Sequence, residues 1–101
     1  LKFKTMELRV NFNDVKVGTL IKYENYGLKD KLIYRVIEVD NKAYNQGLNV
    51  FIKFATAILI KVENGNLDFY KETNSMKKDI NFCEWSNNQW LTTDGYSIIN
   101  Q

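Results

Sequence analysis

The chain has no histidine, no proline and a single cysteine. Without histidine, the usual cysteine and serine triads lack the base that activates the nucleophile, and a structural zinc site lacks most of its ligands. The five glycines stand apart from one another, so the sequence contains no glycine-rich phosphate-binding motif. These absences predict a protein that is not an enzyme and that binds no cofactor or metal.

The lone cysteine, Cys83, is predicted to be a half-buried apolar side chain on a strand face that also carries Asn81 and Trp85. It has no second cysteine to pair with, which argues against a secreted fold stapled by disulfides. The least scattered carboxylates have no spacing that indicates an acid–base pair or a magnesium site: Glu38, Asp40, Glu84 and Asp94. Neither residue type therefore indicates a catalytic centre.

Long hydrophobic runs are also missing. The longest uncharged apolar run, residues 54–60, is far shorter than the roughly 20 residues of a membrane-spanning helix, and no leading segment resembles a signal peptide. A chain of 101 residues accommodates one hydrophobic core, so we expect a single domain over residues 1–101. We expect this domain to be cytoplasmic and to bind no membrane.

The charge of the chain is nearly balanced but unevenly distributed. Its formal net charge is only +2, which gives no strong field to attract nucleic acid or an anionic surface. Residues 1–53 contain ten basic and six acidic side chains, whereas residues 54–101 contain four and six. Any anion-binding face is therefore expected in the first half.

Alternation of apolar and polar residues predicts strands along most of the chain. The first candidate covers residues 1–12 with a bulge near Thr5, and residues 32–39, apolar on both faces, are typical of a central strand. The other candidates are residues 19–24, 48–62, 67–70, 80–85, 90–93 and 96–99. A register shift is expected at Ala55–Ala57, after which Ile58, Ile60 and Val62 face inward.

Two glycine-containing turns support this assignment. Asn64-Gly65 and Asp94-Gly95 supply the residues that a type I′ turn of a β-hairpin requires, with both glycines at positive φ. Helix is expected in at most one short element, near Ala55 or Ser75. The sequence therefore predicts an all-β fold of seven to eight short strands, in a small antiparallel barrel or sandwich of the SH3-like or OB-like type.

Trp85 and Trp90 are predicted to face each other across a four-residue hairpin loop. Such a pair is either a structural clamp or an exposed aromatic tip that anchors a protein partner, because tryptophan is enriched at binding hot spots. In the second interpretation, Asn87 and Asn88 of the loop supply hydrogen bonds around the tip.

The basic first half contains the candidates for a nucleic-acid-binding surface. Small barrels bind single strands through lysine-lined grooves and stacked aromatic side chains. The residues that fit this description are Lys16, Lys22, Tyr23, Tyr26, Lys29, Lys31 and Arg35. The alternative is that the lysines form a solvated face while Tyr34 and Phe51 lie in the core.

The composition favours a non-enzymatic binding domain, such as a small accessory or inhibitor protein of phage or mobile-element type. A protein partner or a homodimer is the first expectation, because a proline-free sheet lacks one common protection of its edges. Binding of single-stranded nucleic acid by the basic half is the alternative.

Overall fold

The computed structural model describes residues 8–24, 31–47, 49–63, 68–69, 77–85 and 88–99. A 3₁₀ turn covers Phe12–Asp14. The strands in the described ranges are β1 (Leu20–Glu24), β2 (Lys31–Asn45), β3 (Val50–Glu63), β4 (Asp68–Phe69), β5 (Lys77–Glu84), β6 (Trp90–Leu91) and β7 (Tyr96–Ile99). Within these ranges, no helix is both long and apolar enough to cross a membrane.

The strands form one antiparallel sheet in the order β6-β5-β3-β2-β1-β7, and the short β4 pairs with β3. The long hairpin of β2 and β3 lies at the centre, which confirms the prediction of a central strand at residues 32–39. The strands predicted at residues 19–24 and 96–99 are present as β1 and β7.

The sheet has to curl, because β6 and β7 lie at its opposite edges although only residues 92–95 separate them in the chain. Fully extended, the steps from Leu91 to Tyr96 span at most about 18 Å, whereas the outer strands of a flat six-stranded sheet lie about 24 Å apart. The sheet is accordingly a curled half-barrel, which confirms the prediction of a small, all-β, barrel-like fold.

Residues 8–11 lie beside the link between β6 and β7 and bridge the two edges of the curled sheet. The carbonyl oxygen of Leu8 accepts hydrogen bonds from the backbone N–H groups of Gly95, at 2.8 Å, and Tyr96, at 3.2 Å. This segment therefore occupies the place that a pairing between β6 and β7 would have filled.

Little of the long first strand predicted for residues 1–12 is present in the described part of the chain. Asn11 forms an isolated bridge with Leu91, and Phe12 already belongs to the 3₁₀ turn. Residues 1–7, including the bulge predicted near Thr5, lie outside the described residues.

The hydrophobic core lies on the concave face of the sheet, under the 3₁₀ turn. Phe12 meets Phe82 of β5 edge to face, with ring centroids 5.1 Å apart and an interplanar angle of 74°. The buried members of this core are Val10, Phe12, Val15, Ile21, Tyr34, Val36, Ala55, Ala57, Leu59, Ile80, Phe82 and Tyr96.

A bulge in β3 changes which of its residues face this core. The register between β2 and β3 shifts at Ile60, so that Leu59 belongs to the core and Val62, beyond the bulge, packs against the same cluster. One extra residue in a strand moves the side chains that follow it to the opposite face of the sheet. Ile58 is buried, but the prediction that it shares a face with Val62 is wrong, because Ile58 lies on the opposite face from Leu59 and is not part of this cluster.

The two predicted hairpins have different outcomes. Glu63 pairs with Asp68, so β3 and β4 form a hairpin, while the predicted turn at Asn64-Gly65 lies outside the described residues. The hairpin predicted at Asp94-Gly95 is wrong, because β6 and β7 do not pair with each other. Gly95 nevertheless has a φ of +107°, as predicted.

The short helix suggested for the alanines is also wrong. Ala55 and Ala57 belong to β3, where both are fully buried against Ile80 and its neighbours. The second suggested position, Ser75, lies outside the described residues.

Thr92 joins residues 8–11 to the rest of the fold, and its hydroxyl should be needed for stability. It is 1 % exposed, and its Oγ1 accepts a hydrogen bond from the buried backbone N–H of Val10 at 3.0 Å. Thr92→Val removes this acceptor and should lower the free energy of unfolding by about 1–3 kcal/mol, as measured by urea denaturation. Thr92→Ser keeps the hydroxyl and should lose less; a valine variant as stable as the wild type would contradict this role.

Candidate protein-binding surface

An open groove forms where the pairing between β3 and β5 ends. The last pair of this ladder is Lys53 with Phe82, and the next residue of β5, Cys83, pairs with Leu91 of β6. Beyond this point the two strands bound a groove of about 660 Å³. We call it the β3–β5 groove; its lining residues are Val50, Phe51, Ile52, Cys83, Glu84 and Trp90.

Large apolar side chains are exposed at this groove. Val50 is 46 % exposed and Phe51 is 68 % exposed, although Ile52, which follows them, is buried. Both exposed residues lie beyond Lys53, where the ladder between β3 and β5 ends. The expectation that Phe51 lies in the core is therefore wrong.

Trp90 connects the groove to the hydrophobic core. It lines the groove and packs, half-buried, against the core cluster. The Lys53 ammonium lies over two aromatic rings, 4.8 Å from the centroid of Trp90 and 5.2 Å from that of Phe12. A cation over the ring face is attractive, so Lys53 helps to hold the indole in position.

Trp85, which follows the groove residue Glu84, is 52 % exposed. The Arg9 guanidinium lies over its ring, 4.6 Å from the centroid, and Arg9 also donates a hydrogen bond from Nη1 to the carbonyl oxygen of Thr92 at 3.1 Å. The Arg9 guanidinium is thus hydrogen-bonded to the backbone and stacked on the Trp85 ring. An aromatic side chain restrained in this way loses less conformational entropy when a partner covers it.

The predicted cross-strand pair of Trp85 and Trp90 is wrong, because the register differs by one residue. Trp90 pairs with Glu84, and the Trp85 N–H donates to the carbonyl oxygen of Gln89 at 2.7 Å. The connection is therefore one residue shorter than predicted, with Asn88 in the left-handed region at φ 61°. The two indoles therefore lie on opposite faces of the strands and have different neighbours.

Three other residues were predicted near the tryptophans, namely Asn87, Asn88 and Cys83. Asn88 is exposed, whereas Asn87 lies outside the described residues. Cys83 is exposed, so the expectation that it is half-buried is wrong, but it does alternate with buried Phe82 on the face predicted for it. Cys83 is one of the residues that line the groove.

The candidates for nucleic-acid binding do not lie on one surface of the described chain. Tyr23 packs against the core, with its ring centroid 4.7 Å from that of Tyr96. Alternation places Lys22 and Arg35 on the opposite face of the sheet, where Lys22 forms a 3.1 Å ion pair with Glu24. The tyrosine and the basic side chains are therefore separated by the sheet itself.

Of the other members of that set, the structure describes Lys16 and Lys31. Lys16 is exposed beside the 3₁₀ turn, where its backbone N–H donates to Thr19 Oγ1 at 3.0 Å. Lys31 is exposed at the start of β2, where its pairing with Glu24 places it on the same face of the sheet as Lys22 and Arg35. Tyr26 and Lys29 lie outside the described residues.

Sequence reasoning missed most of the β3–β5 groove, although one signal pointed to it. Phe51 stands between Asn49 and Lys53 on what the alternation marks as the polar face of its strand. A large apolar side chain on a polar face is a candidate contact residue. Cys83 and Glu84 carried no comparable signal, because their place at the groove depends on where the β3–β5 ladder ends.

The residues that line the groove are of the types that form contact surfaces between molecules. Aromatic and aliphatic side chains dominate its lining, with one thiol and one carboxylate. Across the described ranges, no three histidine, cysteine or acidic side chains lie together as a metal site would require. Comparisons with protein-family models, with curated proteins and with solved structures find no match.

Proposed function

We propose that this chain is a non-enzymatic protein-binding domain of the accessory or inhibitor kind, and that the β3–β5 groove receives an apolar segment of its partner. The observation that carries the proposal is the 68 % exposure of Phe51 beside Trp90, at a groove that opens within the sheet. Exposed large apolar groups next to a groove are typical of interaction sites.

The energetics of the groove support a protein partner. Removing a Phe side chain from water contributes about 1.5–3 kcal/mol, and hot spots of at least about 2 kcal/mol are typical of aromatic anchors. The groove volume of about 660 Å³ is large enough for several side chains. Glu84 at its margin favours a partner in which a basic residue accompanies the apolar ones.

The proposal can be tested with peptides selected against the wild-type domain from a displayed library of random sequences. Phe51→Ser should weaken binding of the selected peptides at least about tenfold, equivalent to about 1.4 kcal/mol. Val17→Ser is the matched control, because it removes another exposed apolar side chain, 67 % exposed, that does not line the groove. Equal affinity of Phe51→Ser and the wild type would contradict the proposal.

Two further measurements distinguish a protein partner from the alternatives, which are a nucleic acid and a second copy of the chain. A thymidine oligonucleotide that binds Phe51→Ser as tightly as the wild type, and loses affinity steeply with salt, would favour the nucleic-acid alternative. Sedimentation equilibrium would reveal a second copy of the chain as the occupant if the wild type dimerises and Phe51→Ser does not.

A further inference from the structure

Three tyrosines of the concave face lie close to a lysine from a distant strand. Lys78 of β5 pairs with Ala57, a core residue, and so starts on the same face of the sheet as the core. Its ammonium lies over three tyrosine rings, 5.4 Å from the centroid of Tyr23, 5.8 Å from that of Tyr34 and 5.7 Å from that of Tyr96.

The three tyrosines come from strands that are neighbours of one another but not of β5. They lie on β1, β2 and β7, where Tyr23 and Tyr96 face each other directly and their rings are 4.7 Å apart. In the sheet order, β2 and β3 separate β5 from β1. Lys78 can reach these rings only because the sheet is curled.

We propose that Tyr23, Tyr34 and Tyr96 form a binding site for an alkylammonium cation, which the chain fills with its own Lys78. Aromatic rings arranged around an ammonium group attract it through their negative faces, and several rings together are the usual way in which proteins recognise such cations. The occupied cage ties β5 to β1 and β7 across the concavity of the half-barrel, without any backbone pairing between them.

The ionisable groups of the cage affect one another's pKa values. Desolvation acts to lower the pKa of Lys78, but the hydrogen bond from its ammonium to Tyr96 and the electrostatic influence of all three tyrosines outweigh it and raise the pKa. Burial raises the pKa of the Tyr34 phenol, against the opposing effect of Lys78. Within the described ranges Lys78 forms no ion pair with a carboxylate, so the tyrosines are its partners.

The first test compares Lys78→Met with Lys77→Met. Both replace an exposed β5 lysine by an uncharged chain of similar length, but Lys77 pairs with Ile58 on the opposite face. Lys78→Met should lower Tm by at least about 4 °C, whereas Lys77→Met should change it by less than half as much. Equal effects of the two substitutions would overturn the proposal.

The second test distinguishes a cation cage from general packing. Propylammonium chloride should raise the Tm of Lys78→Ala by about 2 °C or more, while propanol and sodium chloride at the same concentrations should not. The wild type should not respond to propylammonium, because its cage is occupied. Equal responses to propylammonium and propanol would show that the space is merely apolar and would contradict the proposal.

Wild-type protein alone gives a further test, which does not depend on how well a variant folds. Ring currents of the three tyrosines should move the ε-CH₂ proton resonances of Lys78 upfield from those of Lys77, and identical shifts would overturn the cage.

Because the folded state raises the pKa of Lys78 and of Tyr34, their stabilisation is present at neutral pH and is lost as pH rises through the raised values. The Tm advantage of the wild type over Lys78→Met should therefore shrink above the ordinary lysine pKa of 10.5.

Discussion

Phe82→Ala should lower the free energy of unfolding by about 3–5 kcal/mol, the largest loss expected for one side chain in this fold. Phe82 is fully buried, and its ring meets that of Phe12 under the curled sheet. Truncation would leave a cavity where the 3₁₀ turn, β3 and β5 converge. Since small domains are stable by only about 5–15 kcal/mol, much of the total stability would be lost.

Urea denaturation followed by tryptophan fluorescence measures this loss, and Phe51→Ala is the matched control. Phe51 is the same residue type but is 68 % exposed, so its truncation should change stability by no more than about 0.5 kcal/mol. Comparable losses in the two variants would mean that the assignment of core and surface along β3 and β5 is wrong.

Gly95→Ala should lower the free energy of unfolding by about 2 kcal/mol or more. Gly95 has a φ of +107°, and a Cβ added there would lie 2.7 Å from the carbonyl oxygen of Glu24 and 2.9 Å from Cε1 of Tyr23. The Glu24 N–H donates to the Gly95 carbonyl oxygen at 2.8 Å. Gly95 therefore cannot move away from the end of β1 without losing that hydrogen bond. Thermal melting and urea denaturation should both report the loss.

Gly18→Ala separates backbone strain from this steric clash. Gly18 has a similar φ of +97°, but a Cβ added there would meet nothing within 4 Å. This variant should lose only about 1 kcal/mol, the cost of the left-handed conformation alone. If both alanine variants were equally destabilised, the close approach of Gly95 to the end of β1 would not be a property of the protein in solution.

Local patterns predicted the class of fold and several strands, but they did not predict which strands pair. Alternation placed β1 and β7 correctly, and the need for positive φ at Gly95 followed from its turn. The turn was nevertheless assigned to a hairpin that does not exist. Pairing of residues 8–11 with the link after β6 is a contact between distant parts of the sequence, which no local signal encodes.

A one-residue difference in register explains the error at the tryptophans. The sequence alone does not distinguish a four-residue loop from a three-residue loop in which Asn88 adopts a left-handed conformation. Because successive side chains in a strand point to opposite faces, this difference separates Trp85 from Trp90. Phe51 was expected in the core as a large apolar residue, whereas it is 68 % exposed beyond the end of the β3–β5 ladder.

Site-specific photocrosslinking from the β3–β5 groove would show whether a bound peptide lies there. A photoreactive phenylalanine analogue would replace Phe51, and separately Val17, in the full chain, and each protein would be irradiated with a peptide selected on the wild type. If the groove is the binding surface, crosslinking should be efficient from position 51 and weak from position 17, since only the first lines the groove. Crosslinking from position 17 with none from position 51 would contradict the assignment of the groove as the binding surface.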